Sequence, residues 1–353
     1  MVGDMTVAAE RPRVVMVTGA ATFLGGYLIR RMARNPDIER VLAIDSRAPS
    51  KDMIRRMGRA EFVRVDIRRS AISKLMDAES VDTVVHAATS VMDTTSHTTA
   101  IKELNVIGTM QLCAACQRSP TVKRVVMRSS GMVYGSSSRD PSHMSEDDVP
   151  AVDPRSGYGR DLVDIESYMR GLSRRRPDMT VTILRPAAIL GPRIHTRISR
   201  YLSSPVIPTA MGFEPRLQFL HEEDALAAME HATLAGVPGT FNVAAEGAVT
   251  LTQALRRCGR LQMPVPQPML GTVAGVLRGL KLARIQGDEG GYLTFGRVLD
   301  TTRMRTELGF APTHTSSETL DDFIARRGVE PILPPEFWHS VEGGVRRVAD
   351  RIA

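Results

Sequence analysis

Short apolar runs alternate with longer mixed segments along the first half of the chain. The runs are rich in β-branched residues and predict strands at Val14–Val17, Val41–Ile44, Phe62–Val65, Thr83–His86, Val125–Met127 and Thr180–Leu184. The segments between them predict helices at Leu24–Arg34, Ser70–Met76, Thr99–Gln117 and Tyr158–Ser173. Continuous apolar runs are typical of parallel strands that are buried on both faces. The pattern therefore predicts an α/β fold, a doubly wound parallel sheet that binds its ligand at the carboxyl ends of the strands.

The pattern is less regular in the second half, where proline and glycine are more frequent. We predict one doubly wound domain over residues 13–190. A smaller C-terminal substrate lobe is predicted over residues 191–330, interleaved with the first domain. Residues 1–12 are predicted to be a disordered lead-in, and residues 331–353 a C-terminal tail.

Two segments of the second half carry clearer patterns. Thr240–Val243 is strand-like, and we assign it to the substrate lobe. Leu270–Ile285 is amphipathic and basic. We interpret it as a helix that packs its apolar face on the lobe, in preference to a helix on a membrane surface.

Composition excludes several classes of function. The chain has 353 residues, of which 42% are hydrophobic and 24% charged, as in ordinary globular proteins. The net charge is +7, but the cations are interleaved with acids and only 5% of residues are aromatic, so nucleic-acid binding is not predicted. No apolar run could span a bilayer, and Met1–Arg13 lacks the hydrophobic region of a signal peptide, so we expect a cytoplasmic protein.

The cysteines do not predict metal or redox chemistry. Cys113 and Cys116 have the C-x-x-C spacing, but they fall on a predicted helix, and the sequence offers no second pair of ligands. The third cysteine, Cys258, is far from both along the chain. We therefore predict small, reduced thiols and no metal site.

A glycine-containing turn follows the first predicted strand and opens the first predicted helix. Its sequence, Thr-Gly-Ala-Ala-Thr-Phe-Leu-Gly, ends at Gly25. Gly19 would permit the tight turn, and Gly25 would allow close packing of helix on strand. The helix N-terminus, with Thr22, Phe23 and Leu24, would hold a pyrophosphate. This context predicts dinucleotide binding.

Further motifs agree in order and spacing with one family. They are Asp45, which closes the second strand, Asp66-Ile67, His86-Ala87-Ala88, Asn105 in N-x-x-G-T, Ser129–Gly135, Leu184-Arg185-Pro186 before Gly191-Pro192, Phe219–Asp224, and a closing motif over Asp300–Pro312. From about Val14 to Leu320 the chain resembles the extended short-chain dehydrogenase/reductase family, in its NAD-dependent epimerase and dehydratase group. The resemblance implies a Rossmann-like fold, a nicotinamide dinucleotide and a small-molecule substrate.

The resemblance also implies contacts to the cofactor. Asp45 would bind the adenosine ribose, and Asp66 and Ile67 the adenine. The remaining cofactor residues would be Gly19, Thr22, Phe23, Leu24, Gly25, His86, Ala87, Ala88, Asn105 and Pro186. Asp45 favours NAD because a carboxylate repels a 2′-phosphate, whereas Arg47 keeps NADP open. Thr22 replaces the family's middle glycine, and we expect altered or weaker cofactor binding from it.

Ser130 and Tyr158 are the catalytic pair that the resemblance implies. Ser130 would hydrogen-bond the substrate oxygen, and Tyr158 would exchange the proton as hydride moves to or from the nicotinamide. The family has a lysine four residues after the tyrosine, where this chain has Leu162. That lysine matters because tyrosine ordinarily has a pKa of about 10 and a nearby cation favours its anion. No lysine lies between Lys123 and Lys281, so a replacement cation must come from arginine or a distant lysine. We predict impaired or atypical Ser-Tyr chemistry.

Three functions remain open from the sequence. The first is an epimerase, dehydratase or oxidoreductase on a nucleotide sugar, whose pyrophosphate Arg193 and Arg216 would bind. The second is a hydroxysteroid-dehydrogenase-like enzyme on a hydrophobic alcohol, which the apolar tract Met263–Leu270 would suit. The third is a catalytically silent sensor or scaffold that binds dinucleotide. A cation within about 4–6 Å of the Tyr158 hydroxyl would favour catalysis over the silent alternative.

Helices are the expected contact between subunits. Many relatives in the family pair two long helices as a dimer. By resemblance, Thr99–Gln117 and Asp161–Ser173 would do so in a homodimer of this chain.

Overall fold

The computed structural model describes residues 11–88, 99–141, 143–151, 157–279 and 290–328. Residues 1–10 of the predicted lead-in and the whole predicted tail lie outside these ranges. The proposed division of the chain at residue 190 stays a prediction.

Strand and helix alternate through the first half of the chain. In order, the elements are β1 (Val14–Thr18), α1 (Phe23–Arg34), β2 (Arg40–Asp45), α2 (Lys51–Arg56), β3 (Glu61–Arg64), α3 (Ala71–Ala78), β4 (Thr83–His86), α4 (Thr99–Lys102), α5 (Gly108–Arg118), β5 (Arg124–Arg128), α6 (Gly157–Arg175) and β6 (Thr180–Pro186). A π-helical turn, Glu103–Ile107, joins α4 to α5, and a 3-10 turn, Gly131–Tyr134, follows β5.

The second half contains shorter strands. In order, its elements are β7 (Ala188–Leu190), α7 (Arg197–Leu202), β8 (Val206–Ala210), β9 (Arg216–Leu217), β10 (Phe219–His221), α8 (Glu222–Ala235), β11 (Gly239–Val243), β12 (Val249–Thr250), α9 (Leu251–Arg257), β13 (Leu261–Val265), α10 (Leu270–Gly279), α11 (Gly290–Phe295), α12 (Thr302–Thr306) and α13 (Ser316–Arg327). A 3-10 turn, Gln267–Met269, precedes α10.

The main sheet has seven strands in the order β11-β6-β5-β4-β1-β2-β3. Every neighbouring pair is parallel, which confirms the predicted doubly wound, Rossmann-like α/β fold. The strand order reverses between β1 and β4, where Thr18 pairs with His86. Ligands of open α/β sheets bind in the crevice at such a reversal, outside the carboxyl ends of the strands. The fold therefore places the ligand site beside the turn that follows Thr18.

The assignment of Thr240–Val243 to the substrate lobe is wrong. This run lies in β11, which is the edge strand of the main sheet and pairs with β6, with Phe241 opposite Leu184. Phe241 is fully buried in the core under α8. Because α8 packs on the sheet, it returns the chain to a parallel position beside β6, as a strand–helix–strand connection does.

Helices cover both faces of the main sheet. On one face, Leu28 of α1 and Met229 of α8 share a buried apolar cluster. On the other face, Leu112 of α5 and Leu172 of α6 belong to a second cluster. Burying a side chain of this size contributes about 1.5–3 kcal/mol. The continuous apolar strands of the sequence are thus covered on both sides.

The helix predicted at Thr99–Gln117 is present but interrupted. The π-helical turn Glu103–Ile107 separates α4 from α5. Within it, the Asn105 carbonyl accepts a hydrogen bond of 2.6 Å from the Thr109 hydroxyl. A Cβ at Gly108 would lie 2.8 Å from the Cδ1 of Ile67, so this turn packs closely on the chain after β3. Single π turns are frequent at functional sites.

The lobe has a third apolar cluster of its own. It is built around the strand pairs β7-β10, β9-β12 and β8-β13. Ala274 and Leu277 of α10 are buried in it, as expected of a helix that packs on the lobe. Residues 280–289 of the predicted amphipathic stretch lie outside the described residues. Among the helices that are described, none combines the length and apolar character needed to cross a membrane.

Candidate active site

The turn after β1 requires glycine at two positions. Gly19 has a φ of +85°, and a Cβ there would lie 2.9 Å from the Ala88 Cα. A Cβ on Gly25 would lie 2.1 Å from the Gly19 carbonyl oxygen. Left-handed backbone and close approach both favour a residue without a side chain. The turn is thus shaped as the dinucleotide interpretation expects.

Thr22 uses its hydroxyl inside this turn. Its Oγ1 donates to the Gly19 carbonyl at 2.7 Å and accepts from the Gly25 N–H at 3.1 Å. Thr22 is therefore the N-cap of α1, a role that threonine fills well. The side chain that replaces the family's glycine closes the turn, and its hydroxyl already makes two hydrogen bonds within it.

The two predicted acidic residues lie at the carboxyl ends of neighbouring strands: Asp45 is the last residue of β2, and Asp66 follows β3. The Asp45 carboxylate accepts from the backbone N–H groups of Ala21 and Arg47, both at 3.0 Å. The Asp66 carboxylate pairs with Arg68 at 2.7 Å. The Arg68 guanidinium lowers the pKa of Asp66, although burial alone would raise it. Both carboxylates lie on the edge where the adenosine half of a dinucleotide is predicted to bind.

The His86 side chain holds elements together. His86 is buried, with Nδ1 2.8 Å from the Thr18 hydroxyl and Nε2 2.8 Å from the Thr109 hydroxyl. Burial, and to a lesser degree the nearby Arg128 charge, lower its pKa to about 3. The imidazole is therefore neutral at physiological pH and joins β1, β4 and α5. Its predicted contact with the cofactor stays a prediction, as does that of the fully buried Ala87.

Asn105 and Ile67 are also buried between elements. The Asn105 side-chain amide donates to the Asp161 carboxylate of α6 at 3.2 Å. Ile67 packs against Gly108 at the start of α5. These side chains position the helices behind the site, and their contacts to a cofactor also stay predictions.

A cavity of about 320 Å³ lies beyond the ends of β1 and β5. Six of the predicted site residues line it: Thr22, Phe23, Leu24, Ser130, Tyr158 and Pro186. They come from four separate parts of the chain, so the fold brings together the predicted catalytic pair and the N-terminus of α1.

Ser130 and Tyr158 have different environments within this cavity. Ser130 caps the 3-10 turn after β5, and its Oγ accepts from the Met132 N–H at 3.3 Å. Tyr158 is in the first turn of α6 and only 2% exposed. Its hydroxyl is buried and has no hydrogen-bond partner among the described residues. A buried hydroxyl in this state is costly unless a ligand pairs with it.

Leu162 does not reach the cavity. It is 0% exposed and belongs to the apolar cluster under α6. Asp161, the preceding residue, is also buried and accepts from Asn105. The position that holds the family's lysine therefore serves packing in this protein.

Arginines that no sequence motif marks supply the positive charge of the cavity. The lining includes Arg128, Arg197, Arg200 and Arg297. The Cζ of Arg197, the first residue of α7, lies 5.9 Å from the centre of the Tyr158 ring. The many arginines of the chain offered no signal that separates these from surface ones.

Arg297 supports the cavity wall. Its guanidinium donates to the Gly135 carbonyl at 2.9 Å and to the Ser136 hydroxyl. Burial lowers the pKa of Arg297 to about 10. It remains charged at neutral pH and holds the loop after the 3-10 turn.

Arg193 and Arg216, predicted for the substrate, lie outside the cavity lining. Arg193 pairs with Glu222 at 2.6 Å and with Glu223, and its guanidinium lies 5.0 Å from the centre of the Tyr27 ring. Arg216 is exposed on β9. Arg193 thus connects α1 with α8, and the cationic residues beside Tyr158 are different ones.

A second polar cluster lies at the start of α8. Ligand atoms of His221, Asp224 and His314 lie within 4.8 Å of one another. The Asp224 carboxylate already accepts from the Thr313 hydroxyl at 2.7 Å and from His314 Nδ1 at 2.9 Å. His221 Nε2 lies 3.1 Å from the Asp322 carboxylate. These groups form a hydrogen-bonded connection from the start of α8 to the chain before α13 and to α13 itself.

The cysteines lie away from this site. Cys113, Cys116 and Cys258 are free and buried. Burial raises the pKa of Cys113 and of Cys258 to about 12, so both thiols are protonated at neutral pH. Their surroundings favour packing, as the sequence predicts.

Comparison with known proteins agrees with this geometry. Residues 15–244 match the NAD dependent epimerase/dehydratase family. The chain belongs to this family. Membership confirms the predicted family and NAD, the predicted cofactor. The glycine turn, the cavity and the two carboxylates of this family member fit that cofactor.

Two relatives show how far sequence similarity extends for this epimerase/dehydratase family member. An uncharacterised protein of Mycobacterium tuberculosis is 50% identical over 343 residues, which cover 97% of this chain and 91% of that protein. The UDP-glucose 4-epimerase of Mycolicibacterium smegmatis is 29% identical over 184 residues, which cover 50% of this chain and 56% of the epimerase.

Solved structures share the fold of this family member. The UDP-glucose 4-epimerase of Thermotoga maritima, crystallised with UDP-glucose, has a TM-score of 0.66 at 19% identity and covers 89% of this chain and 98% of its own. The UDP-glucuronic acid 4-epimerase of Bacillus cereus, in complex with UDP-glucuronic acid and NAD, has a TM-score of 0.67 at 19% identity. The match covers 89% of this chain and 99% of the epimerase. At this identity the likeness establishes the architecture.

Proposed function

We propose that the protein is an NAD-dependent epimerase, dehydratase or oxidoreductase that acts on a nucleotide sugar through Ser130 and Tyr158. The observation that carries the proposal is the shared cavity in which this pair meets the Thr22–Leu24 end of α1. The nucleotide-sugar class is supported by the UDP-glucose 4-epimerase of Mycolicibacterium smegmatis, which is 29% identical over half of this chain.

The cofactor would lie across the reversal of strand order. Gly19 and Gly25 leave room for its pyrophosphate at the start of α1, and Asp45 and Asp66 would bind the adenosine half. NAD, when bound, supplies the site that accepts or returns hydride. The remaining chemistry is proton transfer and orientation, which this chain's own side chains perform.

Ser130 would orient the reacting oxygen. Its Oγ accepts from the Met132 N–H, so the hydroxyl hydrogen remains available to donate to a substrate oxygen. Tyr158 would exchange the proton of that oxygen, since it lines the same cavity and its buried hydroxyl has no hydrogen-bond partner among the described residues. The apolar lining, which includes Met132, Ile194, Ile198, Leu293 and Leu299, would exclude water from the exchange.

A second candidate function rests on Leu162. Because this residue is buried in the apolar core, the protein lacks the family's lysine beside Tyr158. A member of the family that binds dinucleotide as a sensor, without turnover, would tolerate that loss. The same experiment separates the two candidates.

The test begins with the purified protein and its dinucleotide. Denaturation releases any bound nucleotide for identification, and calorimetric titration compares NAD⁺, NADH, NADP⁺ and NADPH. We expect NAD to bind, and UDP-glucose or UDP-glucuronic acid to be turned over. Tyr158→Phe should slow turnover by about 10²- to 10⁴-fold with unchanged NAD affinity, because the ring remains and only the proton carrier is lost.

The outcomes separate the candidates. NAD binding without turnover of either nucleotide sugar would favour the silent sensor. If none of the four dinucleotides binds, both candidates fail. A homodimer and a cytoplasmic location belong to the same proposal, and the buried free cysteines are in keeping with a reducing compartment.

A further inference from the structure

Tyr158 and Arg197 approach each other from two parts of the fold. Tyr158 is in the first turn of α6, which packs on the main sheet, whereas Arg197 begins α7 in the lobe. The Arg197 Cζ lies 5.9 Å from the centre of the Tyr158 ring, and the Nε and Nη1 atoms of Arg197 are buried. A guanidinium stays protonated in proteins. A permanent positive charge therefore lies over the tyrosine that the proposed function uses.

The helix that carries Tyr158 offers no comparable cation near it. Leu162 is packed in the core, and Asp161 is buried against Asn105. Arg160 is directed to Asp164 of the same helix, at 3.1 Å. The family's arrangement of tyrosine and cation on one helix is thus absent from the first turns of α6.

We propose that Arg197 supplies from the lobe the positive charge that the family's motif takes from lysine, and that it stabilises negative charge on the Tyr158 oxygen during proton exchange. The inference rests on the proposed function. Arg197 would be a positioning residue, since it lines the same cavity as Tyr158, lies over its ring and acts through that side chain.

The charges change in a defined way during the exchange. When the substrate alcohol is oxidised, its O–H proton passes to the Tyr158 phenolate. The hydrogen of its C–H bond leaves with the bonding electron pair, as hydride, to NAD⁺. In the reverse direction Tyr158 gives up its proton to the carbonyl oxygen and carries one negative charge. Arg197 lies over the ring that carries this charge, in a partly apolar cavity, where an attraction between opposite charges is stronger than in water.

The first turn of α7 holds Arg197 in place. Thr196 and Ser199 form a reciprocal capping box around it. Ile198 and Leu202 are buried in the lobe's apolar cluster, which anchors the helix on its other side. A cation presented by a fixed element loses little freedom when it acts, which is the condition for preorganised stabilisation.

Other titratable groups line the same cavity, and the test must separate them from Arg197. They are Arg128, His195, Arg200, Tyr201, Tyr292 and Arg297. Arg200 is the best matched control because it is an arginine of the same helix that lines the same cavity. An arginine that only binds a substrate phosphate would act on KM, whereas one that stabilises the tyrosine oxygen would act on kcat.

The first arm measures turnover of UDP-glucose and UDP-glucuronic acid with NAD by the full chain. Arg197→Met should lower kcat roughly 10- to 100-fold with little change in KM, and Arg197→Lys should recover most of the loss. The pH of half-maximal alcohol oxidation should be higher in R197M than in the wild type. A change in KM alone, or an unchanged pH profile, would overturn the proposal.

The second arm needs no turnover and keeps the test separate from the proposed function. Ionisation of Tyr158 is followed by the ultraviolet absorbance of tyrosinate, with the Tyr158→Phe protein subtracted. The signal should appear at higher pH in R197M than in either the wild type or R200M. Both variants should have the circular dichroism spectrum of the wild type, which shows that they are folded. Identical titrations in wild type and R197M would refute the role of Arg197, even in a protein that proves catalytically silent.

Discussion

Thr22 shows how a departure from a motif can stabilise the local fold. The family's glycine at this point lets the backbone approach a pyrophosphate, whereas threonine caps α1 and ties Gly19 to Gly25 through one hydroxyl. The side chain bends back into the turn while the residue still lines the cavity. The weaker cofactor binding that we expect would therefore come from the space that the Thr22 side chain takes beside the N-terminus of α1.

Leu162→Lys tests the other departure at the residue scale. Leu162 is fully buried, so a lysine there must either bury an ammonium group or displace the packing around α6. We expect the free energy of unfolding to fall by about 2–5 kcal/mol, measured by urea denaturation. Leu162→Met, which keeps the volume, should cost less than about 1.5 kcal/mol. A stable and more active lysine variant would show instead that the family's arrangement is still accessible.

At the element scale, His86 joins three pieces of secondary structure. Its ring lies between Thr18 of β1 and Thr109 of α5, and its own backbone belongs to β4. Both ring nitrogens of His86 are hydrogen-bonded, and the Thr109 hydroxyl in turn donates to the Asn105 carbonyl. This connection places the turn after β1 against the helix pair behind the cavity.

The pH dependence of stability should report this connection. Burial lowers the pKa of His86 from 6.5 to about 3, so the folded state holds a neutral ring while the unfolded state binds a proton below 6.5. Unfolding is therefore favoured as the pH falls through this interval, by about 1.4 kcal/mol per pH unit from this one group. Urea denaturation at several pH values measures the slope.

His86→Gln is the control for that slope. Glutamine can hydrogen-bond both threonines but does not titrate, so the variant should lose stability more gradually between about pH 6.5 and 5. An equal slope in both proteins would assign the acid sensitivity to other groups.

At the scale of the whole molecule, a buried polar network joins β6 and β11 of the main sheet to α6 and to the 3-10 turn after β5. Glu166 of α6 accepts from Ser129 at 2.6 Å and pairs with Arg185 of β6 at 2.7 Å. Arg185 also donates to the Tyr134 hydroxyl, which donates to Asn242 of β11. The network runs behind Ser130 and keeps its loop at a fixed distance from α6.

Arg185→Met should be strongly destabilising because it leaves the Glu166 charge buried with less compensation. The expected loss is about 3–5 kcal/mol in the free energy of unfolding. Arg170 pairs with the same carboxylate at 3.0 Å but is 44% exposed, so Arg170→Met should cost less than about 1 kcal/mol. Equal losses in the two variants would contradict the importance of burial.

The sequence by itself determined the strands of the first half, most of its helices (α2 was not predicted), the glycine turn and the family. Apolar periodicity is a local property, and Gly19 is required by the backbone of its own turn, so both can be recognised without a structure. Ser130 and Tyr158 were found because they lie within motifs of ordered spacing.

Only the tertiary structure decided which distant residues meet. It placed β11 in the main sheet, paired Arg193 with Glu222 and Glu223, and brought Arg197 of the lobe over Tyr158. These contacts depend on how helices pack on a sheet and on which side chains face one another across it. No local sequence pattern predicts these contacts, because the sequence does not distinguish an arginine that lines a cavity from one on the surface.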